Sequence, residues 1–161
     1  MTDAFREYLY RPRTLAERAI ELEVEIQTLW SACTKMSTTF GKIGGVGGSS
    51  VGNAKDGDKA ALSDLDDLYL RCQQDMRATV TEMLRFSDAI AQDTRNPYAK
   101  RDAAILRFRY ARRLDWVDVA GELARRGFQW ENLRTVYKWH SSALPRIEKI
   151  WEETHDYQRK E

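Results

Sequence analysis

The stretch ALSDLDDLYLRCQQDMRATVTEMLRFSDAI, residues 61–90, places Leu62, Leu65, Tyr69, Cys72, Met76, Val80, Met83, Phe86 and Ile90 at steps of three and four, a nearly unbroken seam. Asp, Arg, Gln and Glu fill the positions between them. That is the seam spacing of a long helix lying against another helix, as in a coiled coil. About thirty residues at 1.5 Å each make it about 45 Å long. A matching seam precedes it at Leu15, Ala19, Leu22, Ile26, Leu29, Cys33 and Met36, with Thr14 as an expected N-cap and Glu17 completing a capping box. Burying each large apolar side chain is worth roughly 1.5–3 kcal/mol, so an antiparallel hairpin is the economical arrangement. A leftover apolar edge would make a homodimer, and the spacing suits an intramolecular pair and a four-helix dimer equally.

Between the seams, Phe40 to Gly57 holds seven of the nine glycines. Each costs about 1 kcal/mol in a helix relative to alanine, so this stretch reads as a flexible loop. It is not a phosphate loop: Gly41-Lys42 is followed by Ile43 where Ser or Thr is required, and no strand precedes it.

The pattern changes after Asp93. Asn96 is the expected N-cap of a short helix with Pro97 in its first turn, burying Ala104, Ile105, Phe108 and Tyr110. A second starts at an Asp115 cap, buries Trp116, Val119, Ala120 and Leu123, and ends at Gly127 as C′ residue. A third starts near Asn132 with Leu133, Val136, His140, Ala143 and Ile147 on one face, and Pro145 should kink or divide it. The fold class is therefore all-α. The long hairpin occupies 1–93 and a three-helix unit with a C-terminal helical tail occupies 94–161.

Composition excludes several classes. At 161 residues and 32% charged, the chain is too short for a large enzyme and has no apolar run long enough for a membrane span. Its opening residues are polar and mixed in charge, unlike a signal peptide, so a soluble intracellular protein is expected. Cys33 and Cys72 fall on seam positions and read as small buried hydrophobes in a reducing compartment. Asp64, Asp66 and Asp67 have no histidine at helical spacing to complete a metal site. His140, on an apolar face, reads as a hydrogen-bonded core histidine, and His155 lies in a charged tail. No nucleophile–base pair and no paired carboxylates are found, so neither an enzyme nor a cofactor is expected.

The net charge of +1 conceals a division. Residues 1–93 carry 11 basic and 15 acidic side chains, residues 94–146 carry 12 and 5, and residues 147–161 carry 3 and 5. Ten of the twelve are arginines, suited to phosphate and guanine contacts. On the side of the third helix away from its apolar face lie Arg134, Thr135, Lys138, Ser141 and Ser142, side chains that hydrogen-bond base edges and phosphates. Three compact helices ending in a basic helix read as a helix-turn-helix that binds double-stranded DNA. Those five residues would face bases, and Arg109, Arg112, Arg113, Arg125 and Arg126 would grip phosphates.

The segments Leu106 to Tyr110 (LRFRY), Leu114 to Ala120 (LDWVDVA), Val136 to His140 (VYKWH) and Ala143-Leu144 resemble the C-terminal signature of small phage transcriptional regulators of the RinA and ArpU type. The layout of the N-terminal part is similar too, so the resemblance covers most of the chain. It implies a helix-turn-helix like region four of bacterial sigma factors, activation of late phage or prophage genes in the bacterial cytoplasm, and host RNA polymerase as a further partner. Fifteen residues separate Ala120 from Val136, so the turn at 125–131 is longer than in that family. Two other readings share the fold: a small-terminase-like subunit that recognises phage DNA for packaging, and a helical module that binds RNA polymerase without DNA.

Overall fold

The computed structural model describes the backbone of residues 1–40 and 51–158 and the side chains of residues 1–32 and 57–154. Among the described residues every element is helical: α1 (Asp3–Phe40), α2 (Val51–Ala91), α3 (Ala99–Ile105), a π-helical segment (Leu106–Ala111), α4 (Trp116–Arg125) and α5 (Leu133–Gln158). None of these helices is long and apolar enough to cross a membrane. The chain divides into two compact units, residues 1–13 with 77–161, and residues 14–76. The boundary expected after Asp93 falls inside the first of them.

In the unit of residues 14–76, Leu22 and Cys72 are buried and Leu15, Ala19, Ile26, Leu29, Leu62, Leu65, Tyr69 and Met76 are half-buried, while the intervening positions are mostly exposed. The Cys72 thiol donates to the Leu15 carbonyl at 3.2 Å, joining α1 and α2 at seam positions. Two expectations fail here. Thr14 lies inside α1, because the helix begins eleven residues earlier and continues through Pro12. The expected loop from Phe40 to Gly57 is helical from Val51 onward, because a long helix propagates through an isolated glycine at about 1 kcal/mol each. Residues 41–50, with most of the glycines, and the side chains of Cys33, Met36 and His155 lie outside the described residues.

The other unit holds the larger core. Phe5 and Leu9 of α1, Met83 and Ile90 of α2, Ile105, Leu106 and Phe108, Val119 and Leu123 of α4, and Val136, Ala143 and Ile147 of α5 are buried in one cluster. The first turns of α1 belong here because Phe5, Tyr8, Leu9 and Pro12 repeat at three and four, one buried stripe on a short amphipathic segment. Their rings interlock with the ends of α2 and α5. Phe5 lies 5.6 Å from Trp151, and Tyr8 lies 5.7 Å from Trp151 and 6.0 Å from Phe86.

Between α2 and α3 the Asn96 side chain accepts the Tyr98 N–H at 2.9 Å, an Asx turn, and the helix starts at Ala99 two residues later than expected. Asn96 also donates to Asp102 at 3.2 Å. Asp102 is fully buried, and Arg146 of α5 grips both its oxygens at 2.7 and 2.9 Å. This bidentate pair bolts α3 to α5. The expected division of the last helix at Pro145 does not occur: α5 runs as one element from Leu133 to Gln158. Burial of Val136, Ala143 and Ile147 on both sides of the proline outweighs one lost hydrogen bond.

Candidate nucleic-acid interface

Four local devices set α4 and α5 in place. Asp115 caps α4, its carboxylate accepting the Val117 and Asp118 N–H groups at 2.9 Å. Gly127 ends it at φ +85°, with its own N–H bonded to Ala124 and the Phe128 N–H bonded to Leu123, the two bonds of a Schellman motif. Trp130 then donates its indole N–H to the Ala120 carbonyl at 2.9 Å, tying the connection back onto α4. Asn132 accepts the Thr135 N–H at 3.2 Å where α5 begins.

On α5, Val136, Ala143 and Ile147 are buried and His140 is half-buried. Opposite them Arg134, Lys138, Ser141 and Ser142 are exposed and Thr135 is half-buried, so the five side chains singled out from sequence share one outer face. The Ser142 hydroxyl donates to the Lys138 carbonyl at 2.9 Å, one turn back. Tyr137, 43% exposed, stands on the edge of the same face and was missed from sequence because its neighbours place it close to the apolar stripe. Trp116 of α4 props it, edge-on at 5.1 Å, and Val117 beside Trp116 is 66% exposed.

The five arginines expected on phosphates have diverse surroundings. Arg109 is half-buried, donates to the Leu114 carbonyl at 2.8 Å and lies 4.8 Å over Trp116. Arg125 is paired with Glu122 on its own helix. Arg112 and Arg126 are exposed and converge on Phe108, at 5.6 and 4.9 Å from its ring. Arg113 is exposed with φ +59°, a left-handed conformation that costs a side-chain-bearing residue roughly 1–2 kcal/mol. Other members of the basic surplus hold the fold together: Arg107 donates to Ser87 and pairs with Asp88, and Arg146 is committed to Asp102. Simple charge counting could not separate these two groups, because the partners come from distant parts of the chain.

His140 connects the core to this surface. Its Nε2 shares a hydrogen bond of 2.8 Å with the Tyr110 hydroxyl, and its ring meets Trp116 edge-on at 4.7 Å. Burial and the nearby Arg109 charge lower its pKa from 6.5 to about 4, and burial raises that of Tyr110. The imidazole is therefore neutral near pH 7, as expected for a core histidine. Since the folded-state value lies below the unfolded one, the unfolded chain binds the extra proton between pH 6.5 and 4, and stability falls as pH drops through that window. After discounting for partial exposure the loss is on the order of 2 kcal/mol. Urea melts at pH 7 and pH 4.5 should show it, and His140→Gln should remove that part of the pH dependence. An NMR titration placing His140 near 6.5 would contradict the assignment.

Among the described residues no cluster of His, Cys, Asp or Glu is arranged to hold a metal ion. The chain matches no family model, no curated protein and no solved structure.

Proposed function

We propose that the chain binds double-stranded DNA in a sequence-specific way, with α4, the turn at 126–132 and α5 acting as a helix-turn-helix and α5 entering the major groove. The observation that carries this reading is the outer face of α5, where Arg134, Lys138, Ser141 and Ser142 are exposed together on a helix held by α4 and Asp102. Arg113 adds support: a long basic side chain kept at a strained, exposed turn where glycine would be more comfortable fits a contact with backbone phosphate. By its resemblance to RinA- and ArpU-type regulators, the chain would be a phage or prophage transcriptional activator of late genes in the bacterial cytoplasm. It would have no enzymatic activity, would meet host RNA polymerase, and would associate through an antiparallel hairpin of α1 and α2 as a homodimer.

Selection of bound sites from random duplex DNA should enrich one motif. With Arg112, Arg113 and Arg126 neutralising about three phosphates, log K against log salt should fall with a slope near −2.7. Arg134→Ala should cost about 1–3 kcal/mol on the enriched site and relax preference at one base pair. A salt-independent affinity, or no enriched motif, refutes the reading.

A further inference from the structure

Beside α3, two guanidinium groups approach one carboxylate. Asp102 gives both oxygens to Arg146, and Arg101 Nε stays 4.0 Å away, buried and without a hydrogen-bond partner. The surplus positive charge is held rigidly, because the Arg101 guanidinium lies 4.5 Å over the Tyr98 ring and 4.8 Å over the Trp139 ring. Burial lowers the Arg101 pKa from its usual value, the sign of a cation whose lost hydration has not been fully replaced.

Arg101 also lines a cavity of about 560 Å³, together with Gln92, Thr94, Tyr98, Lys100 and Phe128. The carboxylate in its wall, Asp93, is bonded to Arg95. A fixed guanidinium, a neighbouring ammonium and a hydroxyl suit an oxyanion, and the aromatic and aliphatic walls leave room for an organic body.

We infer that this cavity is a binding site for a phosphate group carried on a small organic body such as a sugar, with Arg101 and Lys100 as its anion contacts. The phosphate could be supplied by a sugar-phosphate of bound DNA or by a free phosphorylated metabolite. The site does not depend on α5 reading bases, so it stands or falls separately from the proposed DNA binding.

The test is an NMR titration of the full chain with 2-deoxyribose 5-phosphate and with inorganic phosphate, against sodium chloride at equal ionic strength, following the Arg101 Nε–H and the amides of 92–101. Saturable shifts are expected, tighter for the sugar phosphate, and weakened about tenfold or more in Arg101→Gln and Lys100→Gln. Because Arg101→Gln also dismantles the stack with Tyr98 and Trp139, Lys100→Gln at an exposed position decides if the first variant does not fold. Shifts equal to those of sodium chloride, or unchanged affinity in the folded variants, overturn the proposal. Repeating the titration with duplex DNA bound separates the two sources: lost sites identify the DNA backbone, retained sites a free metabolite.

Discussion

Asp102→Ala is expected to lower the stability of the unit formed by residues 1–13 and 77–161 by about 3–5 kcal/mol, the typical cost of removing one partner of a buried ion pair. Asp102 is fully buried and accepts three hydrogen bonds, two from Arg146 and one from Asn96. Alanine would leave two guanidinium groups beside each other with no carboxylate between them, and would free the Asx turn that starts α3. The measurement is the shift of the urea midpoint. A double variant, Asp102→Leu with Arg146→Met, removes both charges together and should recover most of the loss, since apolar replacement of a whole buried pair is often close to neutral. A loss below about 1 kcal/mol in the single variant would show that the pair is not the bolt between α3 and α5.

Phe5→Ala should be of similar size, about 3–5 kcal/mol, as for other large-to-small changes at fully buried aromatic sites. Its diagnostic feature is where the loss is felt. Phe5 packs on Trp151 near the far end of α5, so the amides of α4 and α5 should lose hydrogen-exchange protection along with those of α1. Fraying confined to residues 1–13 would contradict their membership in this unit. His140 and the outer face of α5 belong to the same unit, so Phe5→Ala should weaken DNA binding only to the extent that it unfolds the protein.

The readable parts of the sequence were those governed by local chemistry. Asp115 as a cap and Gly127 as a C′ residue follow from which side chains can accept a helix N–H and which residues tolerate positive φ. The seam positions Leu22, Cys72, Met83 and Ile90 follow from helical periodicity alone. Two elements ran against local signals. Thr14 looks like the start of a helix but lies within one, because Phe5, Tyr8 and Leu9 find a core made by segments more than seventy residues away. Pro145 looks like a break but is carried through by burial on both sides.

The candidate site divides in the same way. Periodicity places Arg134, Lys138, Ser141 and Ser142 on one outer face, since a helix presents residues three, four, seven and eight apart together. It does not distinguish an arginine that faces solvent from one that holds the fold. Arg107, Arg109 and Arg146 have the same composition as Arg112 and Arg126, and what separates them is the arrival of Ser87, Leu114 and Asp102 beside their guanidinium groups.

The sequence by itself determined that the chain is helical, where its seams lie, and that its positive charge is concentrated in residues 94–146. These depend on residue type and on spacing within a few turns. Only the tertiary structure decided that residues 1–13 share a core with α4 and α5, which arginines are consumed by internal partners, and that Arg101 is left over beside a cavity. Each of these depends on contacts between residues far apart in the chain, and a long-range contact leaves no periodic mark in a single sequence.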